Sequence, residues 1–227
     1  MTIHDVSVMN SRYFDIAFED YMLQHIDAES DYMHRLWRAI NLQLYNGHMT
    51  SDHLQGSLLR MLVRMVRPHR VLEVGTFGGY SALSMAAALT DDAHLYTFDS
   101  NDELEPFTRR WIEGAPYASR ITYMVGDAVQ VAPRLGEMFD MVFLDGDKRT
   151  YVEAYEMAMG ITTPDALIVA DNTLWSGNIL NEAYAHDRQT QGVKAFNDHV
   201  AADMRVSTFI LPFRDGMTLL KKKEEGS

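Results

Sequence analysis

Apolar positions recur at intervals of three and four along SDHLQGSLLRMLVRMV, residues 51–66. Leu54, Leu58, Met61, Leu62 and Met65 would share one face of a helix. Thr50 or Ser51 is the expected N-cap, and Pro68, which has no N–H to donate, ends the helix. The same rhythm extends over residues 10–67. From residue 70 it gives way to short apolar runs alternating with amphipathic stretches, the pattern of a parallel sheet covered on both faces. Candidate strands are RVLEVG (70–75), HLYTFD (94–99), RITYMV (120–125), FDMVFLD (139–145) and ALIVAD (166–171). Helix-like stretches lie near 80–90, 102–114, 128–135, 149–160 and 188–203. VSTFILP and GMTLLKK, around RDG, read as an antiparallel hairpin. The prediction is an α/β fold: a doubly wound, mostly parallel seven-stranded sheet with an antiparallel C-terminal hairpin and a helical N-terminal cap. One domain covers 1–227, with the cap at 1–67 and the core at 68–227.

Composition narrows the class. A chain of 227 residues with 47% hydrophobic and 23% charged positions can bury a core without staples. No apolar stretch reaches the roughly 18 to 20 residues of a membrane span. The first residues, with His4, Asp5 and Asn10, lack the basic flank and apolar core of a signal peptide, so a cytoplasmic protein is expected. Zero cysteines exclude disulfides, thiolate metal sites and a cysteine nucleophile. The net charge of −12 argues against a nucleic-acid surface. Lys221–Lys223 reads as a solvated strand end, the fifteen methionines mostly as core filler, and the scattered histidines as no ligand set.

Ligands of open α/β sheets bind beyond the carboxyl ends of the strands. There the sequence collects Glu73, Gly75, Asp99, Asp127, Asp145, Asp171 and Asn172. EVGTFGGYS permits a tight turn and a close backbone approach to a ligand; it is GxxGG, neither the dinucleotide GxGxxG nor a P-loop. Asp99 is placed to accept hydrogen bonds from ribose hydroxyls of a nicotinamide or adenosyl cofactor. If the fourth and fifth strands are neighbours, Asp145 and Asp171 lie about 4.8 Å apart in backbone and repel unless a cation separates them. With the Asn172 amide they form an all-oxygen set suited to Mg²⁺ before Ca²⁺ or Mn²⁺. Taken singly, each carboxylate could instead cap a following helix.

EVGTFGGYS, the strand-ending Asp99, VFLDGDK, DNTLWSG and DGMTLLKK resemble, in order and spacing, the cation-dependent S-adenosylmethionine O-methyltransferases of the catechol and caffeoyl-CoA type. The resemblance implies Asp145, Asp171 and Asn172 as metal ligands and Lys148, with Asp145, as the catalytic pair, Lys148 being the general base. It implies an S-adenosylmethionine site at Met49, Ser51, Glu73, Gly75, Thr76, Ser81, Asp99, Ala128 and Asp147, to which Ser100 and Asp127 are added. Trp175 and Ser176 would border a small vicinal-diol aromatic acceptor, and a homodimer is implied. A nicotinamide-dependent oxidoreductase and a non-catalytic adenosyl-binding module are the alternatives. Three departures stand out: Gly146 replaces an alanine, Asp165–Ala166 replace a glycine pair, and the N-terminal helices match least.

Overall fold

The computed structural model describes residues 18–223; the predicted helical residues 10–17 lie outside that range. After a helical stretch at 18–23 come α1 (Asp31–Gln43) and α2 (His53–Val66). An alternating series follows: β1 (Arg70–Val74), α3 (Tyr80–Ala86), β2 (His94–Asp99), α4 (Glu105–Glu113), β3 (Ile121–Val125), α5 (Ala128–Val131), β4 (Phe139–Leu144), α6 (Tyr151–Ile161) and β5 (Thr162–Asp171). Helix α7 (Arg188–Ala202) leads into the hairpin β6 (Val206–Leu211) and β7 (Met217–Lys222). One seven-stranded sheet results, in the order β3-β2-β1-β4-β5-β7-β6, parallel except for β7, which runs antiparallel to both β5 and β6.

The side-chain alternation of each strand divides the core. Val71, Met141, Phe143 and Val169 pack on one face beneath α1, α2 and α3. Leu72, Val142, Leu144, Ile168 and Ala170 face α6 and α7 on the other. Both faces are covered, which is why these strands read as unbroken apolar runs. Each fully buried Leu, Val or Phe contributes about 1.5–3 kcal/mol relative to exposure. Connections leave β1 toward β2 on one side and leave β4 toward β5 on the other, so the crevice between β1 and β4 is the switch point where such sheets bind ligands.

Three expectations need correction. The N-cap of α2 is Asp52, whose carboxylate accepts from Gln55 N at 3.1 Å, and not Thr50 or Ser51. The buried stripe of α2 is Leu54, Gln55, Gly56, Leu59, Leu62 and Val63, while Met61 and Met65 are 51% and 71% exposed. Two overlapping stripes satisfy the same periodicity, and packing against α3 selects the one that carries Gln55. The methionines are only partly core: Met33, Met85, Met141, Met157, Met159 and Met217 are buried, whereas Met22, Met49, Met61, Met65, Met138 and Met204 are exposed.

Asp165 adopts a left-handed φ of 63° inside an irregularity of β5, where pairing with β4 jumps from Phe139↔Thr162 to Met141↔Leu167. A conformation that favours glycine is therefore held by an aspartate, a residue that tolerates it better than most. Lys221 Nζ meets its carboxylate at 2.9 Å. Lys222 and Lys223 donate to backbone carbonyls, so the terminal lysines are structural.

Candidate functional site

Beyond the carboxyl ends of β1, β2, β3 and β4 lies a cavity of about 720 Å³. Met49, Gly75, Asp99, Ser100, Asp127, Ala128, Asp145, Asp147, Lys148, Asn172 and Trp175 line it. Ser51, Glu73, Thr76, Ser81 and Asp171 are buried behind that wall, and Ser176 is exposed beside it.

Gly75 has a φ of +102°, and a Cβ there would lie 2.3 Å from the Asp145 carbonyl oxygen. The turn approaches the neighbouring strand end closely while Gly75 also lines the cavity; Asp145 N donates to Val74 O at 2.8 Å. Asp99 closes the turn from below. Its Oδ2 accepts from Phe77 N at 2.6 Å and its Oδ1 from Asn101 N at 2.8 Å, leaving further lone pairs toward the cavity. Asp127 caps α5 through Val129 N at 2.9 Å. Asp147 pairs with Arg149, whose hydrogen bonds hold its carboxyl below the usual range.

Glu73 is fully buried under the turn. Thr97 donates to its carboxyl and in turn lies 2.6 Å from Thr76 Oγ1, so one polar layer ties β1 to β2. Burial pushes the Glu73 pKa up to about 8 from its usual 4.5, against the opposing pull of Ser81 and Thr97. The folded state therefore holds a proton that the unfolded chain has lost between those values, and stability falls as pH rises from about 4.5 through about 8. Glu73→Gln, which keeps the shape and cannot ionise, should flatten that decline. Urea unfolding at pH 5, 6, 7 and 8 reads it, and parallel slopes for both proteins would remove Glu73 as the source.

The chemically richest group sits where β4 and β5 end. Leu144 pairs with Ala170, so the next residues, Asp145 and Asp171, are neighbours across the two strands. Lys148 follows on a short helical turn capped by Asp147, and its side chain returns to the strand end: Nζ is 2.9 Å from Asp145 Oδ1 and also donates to the Tyr151 hydroxyl. Lys148 is 4% exposed. The Tyr151 hydroxyl is within hydrogen-bond distance of Leu144 O at 3.1 Å and Asp171 O at 3.0 Å, so it braces both strand ends. Burial, with the nearby Asp145 and Asp171 charges, raises its pKa well above the usual value and keeps it a hydroxyl.

Asp171 is 6% exposed; its Oδ2 accepts from Gln55 Nε2 at 2.6 Å and its Oδ1 from Asn172 N at 2.8 Å. Burial and then the Asp145 charge raise its pKa, and the Lys148 ammonium compensates only in part. Two repelling carboxylates with lone pairs to spare, beside an amide side chain and with no nitrogen or sulfur donor among them, suit a hard divalent cation. A lysine alone leaves that repulsion incompletely balanced.

Gln55 and Tyr151 are absent from the sequence-based candidates. Tyr151 lies three positions after Lys148, a spacing that places both on one helix face. Gln55 offered one signal, a polar residue within an apolar helix, but its partner is 116 positions away. Elsewhere among the described residues, Glu156, His199 and Asp203 converge. The Arg205 guanidinium pairs with both carboxylates at 2.6 Å, so their cation is already present and the cluster is a structural ion-pair network.

A family model described as O-methyltransferase matches residues 24–223. The chain is 33% identical over 174 residues to a catechol O-methyltransferase of Niastella koreensis, covering 73% of this chain and 78% of that protein. It is 32% identical over 185 residues to a caffeoyl-CoA O-methyltransferase of Petroselinum crispum, covering 77% of each. The crystal structure of the O-methyltransferase TomG from Streptomyces achromogenes, involved in tomaymycin synthesis and in complex with SAM, superposes with a TM-score of 0.83. It is 27% identical and covers 92% of this chain and 96% of that chain.

Proposed function

The chain belongs to the O-methyltransferase family, and from that premise we propose that it methylates one hydroxyl of a small vicinal-diol aromatic, using S-adenosylmethionine and a divalent cation. One observation carries the reading: Asp145 and Asp171 stand together at the tips of β4 and β5, with Lys148 Nζ 2.9 Å from Asp145 beside the cavity.

When bound, S-adenosylmethionine supplies an electrophilic methyl group. Asp99, between the glycine turn and the loop after β2, is placed to accept from a ribose, and Ala128 and Asp127 border the same side. Asp145, Asp171 and Asn172 would hold a divalent cation, which would supply positive charge for an ionised acceptor oxygen. That help matters, since ionising a catechol-like hydroxyl of pKa about 10 at pH 7 costs roughly 4 kcal/mol. With a cation between Asp145 and Asp171, Lys148 would enter the reaction as the neutral amine, whose Nζ lone pair is placed to take up the proton, and the Tyr151 hydroxyl fixes where it stands. Trp175 walls the acceptor side and restricts water. Gln55 orients Asp171 from behind. A cytoplasmic homodimer of one catalytic unit, with residues 1–67 as its cap, belongs to the same proposal; among the described residues no helix is long and apolar enough to cross a membrane.

The charge of the wall favours a free catechol over a coenzyme A thioester. Among the described residues Lys148 is the one lysine or arginine lining the cavity, so nothing there besides the proposed base would meet the phosphates of a coenzyme A thioester; Arg35, Arg38, Arg60 and Arg64 do not line it. Labelled methyl transfer to catechol, caffeate and caffeoyl-CoA, with Mg²⁺ and with chelator, tests this. Catechol turnover that depends on Mg²⁺, with kcat/KM about tenfold or more above that of the thioester, is expected. Turnover indifferent to chelator would refute the metal-assisted reading, and a preference for the thioester would refute the charge argument. Calorimetric binding of NADH in place of S-adenosylmethionine would refute both.

A further inference from the structure

The turn between β6 and β7 makes contacts that formation of a hairpin does not require. Asp215 O accepts from Leu174 N at 2.8 Å and Gly216 O from Thr173 N at 3.0 Å. The Asp215 carboxylate accepts from Ser176 N. A Cβ at Gly216, whose φ is +83°, would lie 2.6 Å from Leu174 N, so the two backbones are pressed together. The loop thus gripped is the one that carries Trp175 into the cavity, and it needs holding: Asn172, Trp175 and Ser176 have φ of 56°, 49° and 52°. Side chains seldom stay in that region without external support. On the opposite side of the turn, Arg214 pairs with Glu19 at 2.6 Å and with the α2 N-cap Asp52.

We propose that Asp215 is a positioning residue for the methyl acceptor: by holding the Ser176 N–H it fixes the strained loop that presents Trp175, while Arg214 seats the same turn against the N-terminal helices. The inference rests on the proposed activity for its kinetic readout and not for its structural one. Asp215→Ala should raise the acceptor KM about tenfold while the KM for S-adenosylmethionine stays within about twofold. Asp215→Asn, whose amide oxygen can still accept the Ser176 N–H, should return the acceptor KM to within about threefold of wild type.

Independently, in a Trp37→Phe, Trp111→Phe background Trp175 is the sole tryptophan, and Asp215→Ala should raise its quenching by acrylamide where Asp215→Asn does not. Should Asp215→Ala fold poorly, Arg214→Gln loosens the turn from its outer side and is read the same way. Unchanged quenching overturns the proposal, as does equal loss in the Ala and Asn variants. A wild type inactive on every catechol would count against the activity alone, leaving the quenching to judge Asp215.

Discussion

Asp145→Ala is expected to lower turnover by about 10³-fold or more, because the several kcal/mol that a held cation gives to an ionised oxygen is lost with its ligand. The mutation removes one of two carboxylates at adjoining strand ends and also takes the acidic partner from a lysine that is 4% exposed. Folding should suffer less than activity, since the side chain of Asp145 borders the cavity and lies outside the apolar core. Binding of Mn²⁺, followed by electron paramagnetic resonance, gives a readout separate from rate: wild type should bind one ion per chain and Asp145→Ala should not. Gln55→Leu should weaken the same binding by about 10- to 100-fold through loss of the group that orients Asp171. A mutant whose residual activity still rises on adding Mg²⁺ would dismiss Asp145 as a ligand.

Lys148→Met is the second large effect: kcat should fall by about 10²- to 10⁴-fold, the usual contribution of a positioned base. Methionine keeps most of the volume beside the Tyr151 ring, whose centroid lies 4.5 Å from Nζ, so collapse of the site is an unsuitable explanation for the loss. S-adenosylmethionine and Mn²⁺ should still bind. An unchanged kcat in Lys148→Met would assign the proton transfer to another group.

Both predictions depend on residues that stood in FDMVFLDGDKRTY from the start. Asp145 and Lys148 were legible because an apolar strand ending in ionisable groups has no packing reason to do so. Their neighbours were only partly legible. Tyr151 closes the same stretch, yet its hydroxyl bridges carbonyls of two strands, a relation that depends on β4 and β5 being adjacent. Trp175 was visible as an aromatic beside DN, but the hydrogen bond from Ser176 to Asp215 spans 39 positions and could not be read from local spacing.

What the sequence determined by itself is the alternation of strand and helix and the acidic strand ends, because these depend on short-range periodicity and on residue type; the class of chemistry came from the resemblance of its motifs to a family. The tertiary structure decided which stripe of α2 faces inward, that Gly75 is demanded by the backbone of Asp145, and that Glu73, Thr76 and Ser81 support the cavity from behind. Those outcomes turn on which elements become neighbours, and a periodic pattern is silent on that: two helix faces can be equally apolar, and only the shape and polarity of the opposing surface choose between them.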